Sequence, residues 1–164
     1  MDPAAEAGIS SATCRLTFRI TVPKGGGPHM GGKKKILLVD DEPHVTLVLS
    51  RKLERAGFVV ETARDGEEGF AVACNFQPDL VISDLQMPRA DGLTLATTLA
   101  SNESTSNIPV LMLSGRGFLL DTNLAASTRI ARVLEKPFAA SDIIENALEI
   151  LEASSIDHPR GQAA

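Results

Sequence analysis

Cysteine is scarce: Cys14 and Cys74 are the only two, with no CxxC pair and no histidine cluster beside either. That excludes a disulfide scaffold and leaves nothing to build a zinc site from, so two unrelated thiols in a reducing, cytoplasmic setting are expected. Long apolar runs are also missing. The longest are of the size of Ile36 to Val39 or Val110 to Leu113, far short of the 18 or so residues that a membrane-spanning helix needs. Met1 is followed by Asp2 and Glu6 instead of a basic region and an apolar core, which is not a secretory signal. An excess of positive charge is absent as well, with 16 basic against 21 acidic side chains and a net charge of -5. Lys33 to Lys35 is the only basic cluster, a solvated lead-in to a strand, so direct nucleic-acid binding is not expected. What the chain does have is 164 residues, 43% of them apolar and 23% charged. That is one core's worth of material, and folding about 150 residues buries roughly 68 to 70% of the unfolded surface without help from disulfides or a structural metal.

From Lys35 onward, apolar runs of strand length alternate with segments of helical period, as in a parallel sheet covered by helices on both faces. The strands are Lys35 to Asp40, Phe58 to Ala63, Asp79 to Asp84, Ile108 to Ser114 and Ala131 to Lys136. Four of the five are nearly all aliphatic, without alternation, as buried parallel strands should be. In the first intervening segment Val45, Val48, Leu49, Lys52 and Ala56 trace a helical stripe that Gly57 ends. Further helices are expected at about Gly66 to Asn75, Gly92 to Ala100, Leu119 to Ile130, and Asp142 to Ala153 with Ser141 as N-cap. In the last, Ile144, Ala147, Leu148 and Leu151 fall on one face, with Glu145 and Glu149 toward the other. Five strand-then-helix repeats with right-handed crossovers close into a doubly wound α/β sandwich.

In such a sheet, function gathers beyond the carboxyl ends of the strands. The residues there are Asp40 and Asp41, Asp84, Ser114 and Lys136, while the second strand offers only Ala63 and Arg64. With strand order 2-1-3-4-5, the strand carrying Asp40 and Asp41 lies beside the one carrying Asp84, and three carboxylates converge. Unit charges about 4 Å apart repel by roughly 4 kcal/mol at an effective dielectric of 20, so cations must sit among them. Lys136 is one. A divalent ion would be another, and hard oxygen ligands without histidine or cysteine favour Mg2+. A carboxylate is a competent nucleophile toward a phosphoryl group, and such transfer needs mainly positioning and charge neutralisation. Taken singly, each residue has a bland account: a strand-end Asp caps a helix or makes a turn, Ser114-Gly115 is a loop, and Lys136-Pro137 is a surface lysine before a helix. Five polar groups at one sheet edge are harder to dismiss.

Three stretches resemble the receiver domains of two-component response regulators. Lys35 to Pro43 (KILLVDDEP) is similar to that family's acidic first loop. Asp79 to Gly92 (DLVISDLQMPRADG) is similar to its phosphoacceptor strand and following loop, and Glu135 to Phe138 (EKPF) to its lysine step. Ser114 follows Asp84 by 30 positions and Lys136 follows Ser114 by 22, as in the family, and the likeness covers about residues 34 to 153. The resemblance implies a flavodoxin-like sheet of order 2-1-3-4-5 with five helices and a signalling phosphoacceptor in place of a conventional enzyme. It implies that Asp84 accepts a phosphoryl group from the phosphohistidine of a histidine kinase or histidine phosphotransfer protein. Asp41, Asp84 and the backbone carbonyl of Gln86 would hold Mg2+, with Asp40 assisting through water. Lys136 would pair first with the carboxylate and then with the phosphoryl oxygens, and Ser114 would swing toward the phosphoryl group. A cis peptide before Pro137 is also implied.

The pattern departs from the family in two places. Val133 stands three before Lys136, where most receivers carry a switching aromatic ring, and the chain has no tyrosine; the expected change is therefore backbone-led, centred on Ser114 to Phe118. Arg116 replaces a smaller or acidic group near the pocket mouth. Residues 1 to 33 form a separate leader in which Val22 to Pro28 is a flexible linker, and Leu16 to Val22 resembles the last strand of a histidine-kinase ATP-binding domain, so a hybrid kinase is one candidate parent. Residues 154 to 164 are expected to be a frayed tail, and a monomer or weak dimer is expected. The alternatives are a receiver that binds partners without phosphorylation, a flavin protein, or a flavodoxin-like hydrolase. The acidic Asp40-Asp41-Glu42-Pro43 loop is the electrostatic opposite of a phosphate cradle for flavin, and it is not the DxD of a haloacid-type hydrolase.

Overall fold

A computed structural model describes residues 32–115 and 121–156. The leader strand at 16–22, the linker, Arg116 to Phe118 and the tail from 157 lie outside the described residues. Five strands, β1 (Lys35–Val39), β2 (Val59–Ala63), β3 (Leu80–Asp84), β4 (Val110–Ser114) and β5 (Ile130–Glu135), alternate with five helices. These are α1 (Pro43–Arg55), α2 (Gly66–Phe76), α3 (Gly92–Ser101), α4 (Thr122–Ser127) and α5 (Ala140–Ile156). The sheet runs β2-β1-β3-β4-β5 with every pairing parallel, the expected order. None of the described helices is long and apolar enough to cross a membrane.

The missing alternation in the strand sequences has a direct cause. Ile36, Leu37, Leu38 and Val39 are all completely buried, because a central parallel strand is covered on both faces. Leu37 and Val39 enter a core with Val72, Phe76, Leu95, Leu99 and Met112, under α2 and α3. Ile36 and Leu38 point the other way, into a core with Leu49, Leu53, Leu111, Ile143 and Ile150, under α1 and α5. Only the edge strands β2 and β5 show exposed positions.

Local details correct the sequence reading in several places. The buried stripe of α1 runs through Val45, Leu49 and Leu53, whereas Val48, Lys52 and Ala56 lie exposed. Leucine at 53 fixes the rotation, since it meets the sheet where the expected stripe would place a lysine. α1 does end as expected, with Gly57 at φ +102°, a left-handed conformation that suits glycine. On α5 the buried positions are Ile143, Ala147, Ile150 and Leu151, and Leu148 faces solvent; the two stripes share Ala147 and Leu151, so periodicity alone did not separate them. Ser141 is not its N-cap. α5 begins at Ala140, and the Asp142 carboxylate accepts from the Ala139 N–H at 2.8 Å, one half of a capping box. It continues three residues past Ala153, where the Ser154 and Ser155 hydroxyls donate back to Ile150 and Leu151 carbonyls.

α4 is shorter than the expected Leu119 to Ile130. Asp121 caps it by accepting from the Asn123 N–H, and Thr128 leaves helical geometry while its hydroxyl donates to Leu124 O at 2.7 Å. The next residue, Arg129, accepts from the Val110 N–H, so sheet pairing claims Ile130 as the first residue of β5. Cys74 lies on α2, and Cys14, the other of the two cysteines, is outside the described residues. The rotation of α1 predicts that Leu53→Ala costs about 2–5 kcal/mol, whereas Val48→Ala stays within about 0.5 kcal/mol. Urea unfolding of the two variants measures the difference.

Candidate functional site

β1 and β3 are neighbours, so their carboxyl ends deliver acids to one place. Asp40 is the first residue past β1, and its N–H donates to Ala63 O at 3.1 Å, which extends the ladder one step beyond the strand. That pins its side chain at the sheet edge, with the residue 2% exposed. Its Oδ1 accepts from the Glu42 N–H at 2.9 Å. Asp41 follows on the exposed side of the turn, and Pro43 then starts α1. Asp84 closes β3 and is 5% exposed. One carboxylate oxygen from each of Asp40, Asp41 and Asp84 lies within 4.8 Å of the others.

Lys136 supplies the cation. It stands one residue past β5, where its N–H donates to Ser114 O at 2.7 Å and the following peptide to Pro137 is cis. From there its Nζ reaches Asp84 Oδ2 at 3.2 Å. Ser114 ends β4 fully buried, and its hydroxyl donates to the Gly115 carbonyl at 2.9 Å. Gln86 lies exposed two residues after Asp84, on a loop whose start is held by Leu85 N–H to Leu113 O at 2.8 Å. All six expected site residues therefore lie at the carboxyl edge of the sheet, and contact with Asp84 is direct for Lys136. Val133 sits half-buried against the core on β5.

Two positions inside the quoted motif have roles that the sequence reading did not assign. Asp91 caps α3 by accepting from the Thr94 N–H at 2.8 Å. A Cβ on Gly92 would lie 2.4 Å from Asp84 O and 2.7 Å from Met112 Sδ, so only glycine lets α3 start against the end of β3. The signal was present as an Asp-Gly pair opening a helical pattern.

The electrostatics agree with this crowding. Burial chiefly pushes the Asp40 carboxyl above its ordinary value of 3.8; the charges of Asp84 and Asp41 push the same way, and the Glu42 N–H and Lys136 pull against them. The donor set consists of hard oxygens, with one contacting ammonium against three carboxylates, which fits a small divalent cation.

Comparison with known proteins agrees with the geometry. Residues 36–148 match the family of the response regulator receiver domain, and the chain belongs to it. Over 117 residues the chain is 37% identical to the DNA-binding dual master transcriptional regulator RpaA of Synechocystis, covering 71% of this chain and 48% of that one. It is 33% identical over 129 residues to the alkaline phosphatase synthesis transcriptional regulatory protein PhoP of Bacillus subtilis, covering 79% and 53%. The chain thus spans about half the length of these curated relatives. Among solved structures, a response regulator receiver domain protein of Clostridium thermocellum superposes with a TM-score of 0.68 at 27% identity, covering 76% of this chain and 99% of that one. The chemotaxis protein CheY4 of Vibrio cholerae gives 0.66 at 28%, covering 73% and 99%. Receiver domains of this family are signalling proteins, with a fold in which five parallel strands are ordered 2-1-3-4-5.

The raised Asp40 value has a definite sign. Its ionised form weighs against the folded state, so in metal-free buffer this residue's contribution falls as pH rises from about 3.8 through the raised value. Asp40→Asn keeps the acceptor for Glu42 and lacks the charge. The variant is therefore expected to be more stable than the parent near neutral pH, with the gap closing in acid. Denaturant midpoints across a pH series measure this; a variant less stable at neutral pH would contradict the assignment.

Proposed function

We propose that Asp84 accepts a phosphoryl group from the phosphohistidine of a histidine kinase or phosphotransfer protein, and that the modified domain switches a protein partner. The observation that carries this is the Lys136–Asp84 contact at 3.2 Å inside a trio of acids. An oxygen of Asp84 attacks phosphorus; the new O–P bond forms as the P–N bond breaks, and its electron pair leaves on the imidazole nitrogen, which takes a proton from solvent. Lys136, already paired with the carboxylate, transfers its contact to the phosphoryl oxygens. Asp41, Asp84 and the Gln86 carbonyl would hold Mg2+, which supplies charge neutralisation for the transferring group. Asp40 is the weaker ligand candidate, because its Oδ1 is engaged by Glu42 while Asp41 lies open to solvent. Ser114 exchanges its bond to the neutral Gly115 O for a charge-assisted one to the phosphoryl group, the stronger of the two.

The acidic rim repels the phosphates of a nucleic acid, which favours a protein as the immediate partner of this domain. The leader's likeness to the end of a kinase ATP-binding domain stays part of the proposal for the parent protein. A hydrolase or a receiver that only binds partners has no feature of its own in the site.

Incubation with acetyl phosphate and MgCl2 is expected to add the mass of one phosphoryl group, and Asp84→Asn to abolish it. An unchanged phosphorylated fraction in that variant would overturn the assignment, and steady turnover of an aryl phosphate would favour a hydrolase. In a magnesium titration followed by amide shifts, Asp41→Ala is expected to weaken binding more than Asp40→Asn.

A further inference from the structure

The loop between β3 and α3 carries Gln86, and its two ends are tied to each other by Gly92 N–H to Leu85 O at 3.0 Å. Its far side is tied to a different element. The Gly66 N–H, in the first turn of α2, donates to Ala90 O at 3.1 Å. Asp65 caps that helix through the Glu68 N–H, and its other oxygen lies 3.9 Å from Arg89 Nη1. Arg89 itself holds φ at +68°, an uncommon conformation for a residue with a side chain. At Gly66 the contact is closer than any other residue would allow. A Cβ there would lie 2.7 Å from Ala90 Cβ and 2.8 Å from Ala90 O. Gly66 has no positive φ to explain it, and alanine is the better helix former, so close approach is what calls for glycine here.

We infer that the Gly66–Ala90 contact is a latch that positions the Gln86 segment over the acidic trio, and so sets the affinity of the site for Mg2+. Gly66 touches none of the carboxylates; it is a positioning residue that acts through the backbone of residues 86–90. The inference rests on the reading of Asp41, Asp84 and Gln86 as the magnesium-holding set. In physical terms, the loop is closed at its base by Leu85 and Gly92, so a push at Ala90 is taken up within the short span that includes Gln86. Outer contacts that orient ligands are commonly worth about 10–100-fold in metal affinity.

The test is a titration of the full chain with MgCl2 alone, followed by amide shifts, on the parent, Gly66→Ala and Ala90→Val, beside thermal unfolding of each in metal-free buffer. Ala90→Val presses on the same contact from the partly exposed loop, so it remains informative if Gly66→Ala does not fold. Both variants are expected to bind magnesium at least about tenfold more weakly, with a phosphorylated fraction that recovers at high magnesium. Adding Ala90→Gly to the Gly66→Ala background is expected to restore part of the affinity. Affinity within twofold of the parent in both single variants, whatever their thermal stability, would overturn the latch. A parent that shows no magnesium binding would instead overturn the underlying reading of the site.

Discussion

The arrangement depends on a repulsion that the backbone does not allow to relax. Asp40 follows β1 and Asp84 ends the adjacent parallel β3, the registers of both set by buried aliphatic residues on both faces, and Asp41 is fixed by the turn into α1. Moving the acids apart would mean breaking the ladder or uncovering the core, each worth more than a few kcal/mol of charge repulsion. The sheet therefore holds the carboxylates together, and Lys136 offsets only part of their charge. Burial does most to raise the Asp40 value, and the neighbouring charges of Asp84 and Asp41 add to it. A site in this condition favours a small divalent cation.

Much of this was legible in the sequence, for an identifiable reason. A doubly wound sheet sends all its carboxyl ends to one edge, so identifying the strands by their unbroken aliphatic runs was enough to gather Asp40, Asp41, Asp84, Ser114 and Lys136. Central strands such as Ile36 to Val39 leave no ambiguity, because both faces are buried. Helix rotation was less legible. In α1 the sequence offers Val48 and Lys52 or Leu49 and Leu53 at helical spacing, and only packing against β1 selects the second pair. The end of α4 was lost for a similar reason: Ile130 is as good in a helix as in a strand, and the bond from Val110 to Arg129 decides it. An Asp-Gly pair marks the start of the helix at Gly66 as at Gly92, but the close approach there depends on the packing of a neighbouring element, and a glycine at a helix start has several unrelated causes.

The same geometry frames how a signal could leave the site. Ser114 is buried and already spends its hydroxyl on a neighbouring carbonyl, so its reorientation is an exchange between two bonds. With a valine at 133 half-buried against the core, no aromatic ring is available at that position to follow it. On the proposed function, the differential free energy between states comes from the contacts of Ser114 and Lys136 with the phosphoryl group.

The most direct test of the central claim is the dependence of unfolding free energy on magnesium, measured on the unmodified chain from chelator upward against NaCl of matched ionic strength. If the sheet holds uncompensated carboxylates, stability rises by about 1.4 kcal/mol per tenfold increase in free magnesium once the site is mostly occupied, and NaCl does not reproduce the rise. Equal gains from the two salts would contradict the account.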